Sequence, residues 1–248
     1  MARHRFIPAS FGLICLLLLA GGNLPAQDYE RSFQLPEGGF IRVHNISGNV
    51  RVSGYSGATV HVLAFREGRD RDRVEIEDRS SADRVDLAVR YPDWGNISAS
   101  VNFEIRVPAS LPLNFESIHS VSGNVDMDGV TGQVKADCVS GNVTVTDVAG
   151  TVSASAVSGN VQVHISRLTG MRDMKFSSVS GNVTVRAPAS LNAYVEMSTI
   201  SGSLKTDFPI EVLERRYGPG KSARGKLGSG ETNLQIRVVS GRVSLIKN

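Results

Sequence analysis

Apolar and polar residues alternate with a period of two through most of the chain. Val143-Thr-Val145, Val161-Gln-Val163 and Val183-Thr-Val185 put valine on one side and polar groups on the other. Such alternation predicts half-buried strands. After the N-terminal apolar run no useful stretch repeats at 3.6 residues, so the chain is expected to be all-β. The strands are punctuated by a repeated motif, [Val/Ile]-Ser-Gly-x-[Val/Leu], whose glycines are Gly48, Gly123, Gly141, Gly159, Gly181, Gly202 and Gly241. The central spacings are 18, 18, 22 and 21 residues. Weaker glycine turns lie between them at Gly132, Gly150 and Gly170, and Gly57 follows Gly48 by nine residues.

Strand, turn, strand, turn in about 18–22 residues describes one coil of a flattened, right-handed parallel β-solenoid. Coils of this kind stack at about 4.8 Å, and each buries its inner face only against its neighbours. The regular block is expected over residues 117–205, with 117–187 giving about four coils. Glycine after serine permits positive φ at the corner. The asparagines that follow (Asn49, Asn124, Asn142, Asn160 and Asn182) tolerate the left-handed region and can bond neighbouring backbone, so in-register stacking predicts an asparagine ladder with a structural role. Cys138 occupies the position of Ser120, Ala156, Ser178 and Thr199 in sister repeats and reads as a small stacking residue rather than a nucleophile.

Outside the block, residues 28–65 form an entry region that runs through Phe33-Gln-Leu35, Phe40-Ile-Arg-Val43 and the first Ser-Gly-Asn-Val. The alternating charges from Arg66 to Arg73 suggest a solvated loop. Val74-Glu-Ile76 and Val85 to Val89 read as a hairpin-like excursion, and Val101 to Val107 as a strand stopped by Pro108. Pro209 to Glu231 breaks the pattern with Arg215, Arg216, Lys221, Arg224 and Lys226 among five glycines. It is expected to be a mobile basic insertion, with a loop for anionic polymers or headgroups as the functional alternative. Leu234 to Val238 and Val243 to Ile246 are expected to close the fold as its last coil.

Met1 to Ala26 has the basic start, short apolar centre and small-residue end of a cleavable export signal, leaving residues 27–248 as one β-strand-repeat domain. The expected location is therefore periplasmic, cell-surface or secreted. The 248 residues include 30 valines, 25 glycines and 6% aromatics, which suits thin strand layers. Past residue 26 there are 25 Lys+Arg against 24 Asp+Glu, so no basic field for nucleic acid exists. Only Cys138 remains as a thiol in that domain, which excludes an internal disulfide and a cysteine zinc site.

No catalytic, cofactor or metal site is read from the sequence. Calcium β-rolls need aspartates that these corners lack. His44, His61, His119 and His164 are scattered, without ligand spacing, and no Gly-x-Ser-x-Gly elbow occurs. Asp126, Asp128, Asp137 and Asp147 could supply paired carboxylates for a polysaccharide-acting β-helix enzyme, the alternative class.

The Val-Ser-Gly-Asn-Val repeats, Val101-Asn-Phe-Glu-Ile-Arg-Val-Pro108 and Ile236-Arg-Val-Val-Ser-Gly-Arg-Val-Ser-Leu245 resemble a bacterial family of β-strand-repeat domains of unknown function that carries an adhesin label. The resemblance covers about residues 30–247. It implies a β-solenoid or sandwich-like stack outside the cytoplasm without established enzymatic activity. Some members stand among envelope-stress regulators, so a sensor partner is a further alternative. Many members have Asp where this chain has Asn after Ser-Gly, which removes charge from the corner and weakens a metal-ladder idea. The expectation is a non-enzymatic binding or scaffold surface, with envelope proteins or glycans as partners and end-to-end self-association open to it.

Overall fold

The structure, a computed structural model, describes residues 28–93, 95–170, 172–214 and 220–248. The segment expected to be an export signal, Met1 to Ala26, and the basic pair Arg215 and Arg216 fall outside these residues. Among the described residues are 20 strands and one short 3-10 turn, Arg71–Arg73. The strands form one continuous sheet that folds at the glycine corners into two faces around a valine-rich core. The chain is thus all-β and solenoid-like.

The front face holds the strands that lead into the Ser-Gly corners. In spatial order these are β5 (Glu75–Asp78), β6 (Arg84–Arg90), β2 (Phe40–Ser47), β8 (Leu113–Ser122), β10 (Thr131–Ser140), the second half of β11 (Val143–Ser158), β13 (Met174–Ser180), β19 (Thr232–Ser240), β15 (Ala193–Ser201), β18 (Lys221–Lys226) and β17 (Val212–Glu214). The back face holds the strands that leave the corners. They run β1 (Tyr29–Phe33), β4 (Val60–Gly68), β7 (Ala99–Pro108), β3 (Val50–Tyr55), β9 (Val125–Asp128), the first half of β11, β12 (Val161–Arg167), β14 (Val183–Ala187), β20 (Val243–Lys247) and β16 (Leu204–Thr206). Pairing is parallel from β6 to β15 in front and from β7 to β16 behind. β5, β18 and β17 in front, and β1 and β4 behind, pair antiparallel and cap the ends.

Close approach between coils, more than turn conformation, explains the glycine corners. A Cβ on Gly141 would lie 2.3 Å from the carbonyl oxygen of Gly123, and one on Gly181 2.0 Å from that of Gly159. Only hydrogen fits in that gap. The same contacts place the corners in the order Gly48, Gly123, Gly141, Gly159, Gly181, Gly241, Gly202, with Val101 beyond Gly48. A second stack forms where Gly132 pairs with Gly150. It does not extend to Gly170, whose missing Cβ would meet nothing within 4 Å.

Three expectations need correcting. The C-terminal strands do not form the outermost coil: β19 and β20 insert between the β13–β14 coil and the β15–β16 coil. The chain passes outward first and then returns by a crossover to a slot where β19 is hydrogen-bonded on both edges, by β13 and by β15. Within Pro209 to Glu231, the described residues include two strands rather than a loop: β17 and β18 form an antiparallel ladder against β15. The charged run 66–73 is likewise partly ordered, since Arg66 to Gly68 extend β4 against β7.

A buried polar column runs behind the corners and satisfies their carbonyls. Asn45 Nδ2 and Ser120 Oγ both donate to Gly48 O at 2.9 Å, Ser178 Oγ donates to Gly159 O at 2.9 Å and Thr199 Oγ1 to Gly241 O at 3.1 Å. The Cys138 thiol fills the same column and donates to Gly141 O at 3.0 Å. Burial, followed by the charge of Asp137, pushes its pKa up, which disfavours the reactive thiolate.

The N-terminal cap is fastened by Asp78. Its carboxylate accepts hydrogen bonds from Tyr29 Oη at 2.6 Å, from the Ser80 backbone N–H at 2.9 Å and from Arg31. Burial alone would raise the Asp78 pKa, but the bonds from Ser80, Tyr29 and Arg31 outweigh it and hold the carboxyl at about 2. A depressed carboxyl stabilises the fold above its ordinary pKa of 3.8 and stops doing so as pH falls towards 2. Amide exchange in β1 is therefore expected to accelerate between pH 4 and pH 2. In Asp78→Asn that particular pH step should disappear, leaving β1 exchange faster at neutral pH.

Candidate functional site

The corner motif also builds the outer surface. The residue before each Ser-Gly points outward, so Ile46, Val121, Val139, Val157, Val179, Val239 and Ile200 align as one aliphatic column along the front face. Val157 and Val179 are each 48% exposed and Ile200 56%, high values for β-branched residues in regular strands. Beside it runs a second column of His44, His119, Asp137, Ser155, Ser177, Arg237 and Ser198, in that spatial order. An aliphatic rail thus flanks a mainly polar track for the length of the stack.

On the other side of the rail is the asparagine ladder. Asn49 Oδ1 accepts from the Asn124 N–H at 2.9 Å, Asn124 Oδ1 from Asn142 at 2.9 Å, Asn142 Oδ1 from Asn160 at 3.0 Å and Asn160 Oδ1 from Asn182 at 3.0 Å. Asn182 Oδ1 accepts from the Arg242 N–H at 2.9 Å, and arginine in that slot ends the run of amide side chains. At the other end Asn102 Oδ1 accepts from the Asn49 N–H at 2.9 Å. Asn102 belongs to no Ser-Gly motif, so the repeat does not mark it; its only signal is the step Asn-Phe where other coils have Asn-Val. Each ladder side chain is spent on the neighbouring coil's backbone, which is an interior task performed at an exposed edge. Asn142→Ala is expected to cost about 0.5–1.5 kcal/mol, the net worth of a typical hydrogen bond, read as a lowered urea midpoint.

At the N-terminal end the track widens into a cleft of about 540 Å³ between β6, β2 and β8. Ala88 contributes no bulk to its lining. His44 and His119 are neighbours on adjacent strands, with ring centroids 5.9 Å apart and the ring planes tilted by 44°. Burial, then the neighbouring His119 and Arg42, pushes the His44 pKa down. Arg42 donates to Glu116 at 2.9 Å and lies 3.7 Å from Asp86; Arg79 and Arg90 share Glu77. The Arg90 hydrogen bond keeps the Glu77 carboxyl below its ordinary range. Ile46 and Val121 line the far side of the cleft, so the rail leads out of it. Sequence spacing could not join His44 to His119, which are 75 positions apart and meet only because the intervening excursion returns the chain to β2.

The aspartates do not converge. Asp126 and Asp128 lie on the back face in β9, whereas Asp137 lies on the front face in β10. Asp128 accepts from Thr146 Oγ1 at 2.6 Å and Asp137 from Ser155 Oγ at 2.5 Å. Asp147, at φ 50°, turns the corner of β11 and sits 3.1 Å from His164. Among the described residues no three His, Cys, Asp or Glu side chains form a group able to hold a metal ion.

The profile of the Toastrack DUF4097 family matches residues 39–246. The chain belongs to this family. The resemblance read from the Ser-Gly repeats is thereby borne out. No curated protein matches the chain in sequence. Among solved structures, a candidate cell adhesion protein from Clostridium sporogenes is similar over 89% of this Toastrack chain and 99% of its own, at 13% identity and a TM-score of 0.46. A candidate adhesin from Bacteroides fragilis is similar over 88% and 96%, at 15% identity and a TM-score of 0.33.

Proposed function

We propose that this Toastrack protein is an exported, non-enzymatic, adhesin-like component of the cell envelope that binds a repeating partner, such as a surface glycan, along its front face. The observation that carries the reading is the pairing of the aliphatic rail with the parallel track of hydroxyl, carboxylate and imidazole groups. Both repeat at the strand spacing, about 4.8 Å, so a polymer lying along the stack meets similar contacts at each step. Weak single contacts then add through multivalency. Contiguous exposed apolar surface of this kind commonly marks an interaction site. The coil is right-handed in this reading, the hand that parallel crossovers overwhelmingly adopt, and Met1 to Ala26 is removed on export.

The test is binding of residues 27–248 to a glycan array and to intact bacterial cells. Binding is expected, and it should fall in a Val157→Asp, Val179→Asp double variant that retains its strand circular dichroism. A folded domain that adheres to neither glycans nor cells sinks the proposal.

A further inference from the structure

The cleft at the head of the track has a charge and shape that the rest of the front face lacks. The charged groups that line the cleft are Arg42 on β2, Asp86 and Arg90 on β6 and Arg79 from the hairpin, with Asp137 on β10 beside His119. Three of these are cations and two are carboxylates, and each imidazole that takes up a proton adds one positive charge. Glu77 holds the Arg79 and Arg90 guanidinium groups in place. Fixed guanidinium forks suit planar carboxylates better than lysines do. A neutral imidazole pair, in contrast, offers ring faces and one donor each.

We infer that this cleft takes a uronate-type sugar of an acidic polysaccharide, its carboxylate among Arg42, Arg79 and Arg90 and its ring on His44 and His119. This rests on the glycan-binding reading above and adds the charge of the ligand and the place where recognition begins. The volume of about 540 Å³ is in the range of small-ligand sites. The exit past Ile46 and Val121 sends the following sugars down the rail. A bound carboxylate favours the protonated imidazoles, so by linkage affinity rises as pH falls. Glu77, held below its ordinary range, keeps its charge through mildly acidic conditions.

The experiment is calorimetric titration of the folded domain with a galacturonate tetrasaccharide and with a neutral galactose tetrasaccharide, each at pH 7.5 and pH 5.0. Acetate serves as a simple-carboxylate control. The acidic oligomer is expected to bind about tenfold more tightly at pH 5.0, the equivalent of a one-unit rise in one imidazole pKa on binding. A His44→Gln, His119→Gln double variant should lose this pH dependence. Arg90→Gln, at an exposed position that leaves the β-core intact, should weaken the acidic oligomer selectively. Equal binding of the neutral oligomer, unchanged pH dependence in the double variant, or acetate binding as tightly as the tetrasaccharide each overturns the inference. Neutral-oligomer binding unaffected by any of these changes would leave the broader glycan reading standing. Binding of no oligomer at either pH, with an empty glycan array, would remove both.

Discussion

Gly159→Ala is expected to unfold the centre of the stack. A Cβ at this position would lie 1.8 Å from the Gly141 carbonyl oxygen and 2.7 Å from its carbon. Those atoms belong to backbone that hydrogen-bonds to the coils on either side, so they cannot retreat without opening the ladder. The φ of +154° adds a conformation that alanine adopts reluctantly. The expected cost exceeds about 4 kcal/mol, the exceptional end of single substitutions, and a substantial share of total stability. Gly170→Ala is the matched control. Its φ of +97° is also unfavourable to alanine, but the new methyl would meet nothing within 4 Å. It should cost only about 1 kcal/mol. If urea unfolding put the two variants within 1 kcal/mol of each other, contact between coils would not be what requires glycine.

Deleting residues 232–248 should remove far more than those residues. This segment supplies β19 and β20, which separate the β13–β14 coil from the β15–β16 coil. Its inward side chains Leu234, Ile236, Val238, Val243 and Leu245 are all buried. At about 1.5–3 kcal/mol each, their loss is comparable with the whole stability of a domain. Without β19, β15 loses its parallel partner and keeps only the antiparallel β18. Amide exchange is expected to show protection lost from β15 and β18 as well, while Val125 to Ser158 remain the most protected. Preserved protection at β15 in the shortened chain would contradict the inserted order.

Much of this architecture is legible in residue pattern. Alternating valines specify the strands, and the Ser-Gly motif places each corner, because both are local demands of pleat and turn. The stacking order is not legible. Gly202 and Gly241 sit in nearly identical motifs, and nothing local states which packs on Gly181. That choice is made by long-range pairing, with β13 taking β19 sixty residues downstream. The strands within 209–231 are not legible for a related reason. Its glycines and charges read as loop, yet Ala223 and the outward Ser222 and Arg224 suffice for an edge strand once β15 is available as a template. The cleft was hidden more deeply still. Its histidines belong to different coils, and its arginines are divided between β2, which carries Arg42, and the β5–β6 excursion, which carries Arg79 and Arg90.

The capped ends also constrain how such a chain can change in length over generations. The N-terminal β1 lies in an antiparallel closure and the C-terminal β20 is already held between β14 and β16, so a duplicated segment appended at either terminus would not start beside an open parallel edge. An extra 18-residue unit copied from the middle, such as Val143 to Asn160, would by contrast enter between like neighbours and leave both closures untouched. Family members of unequal size should therefore differ by whole interior units, with their first and last segments in common.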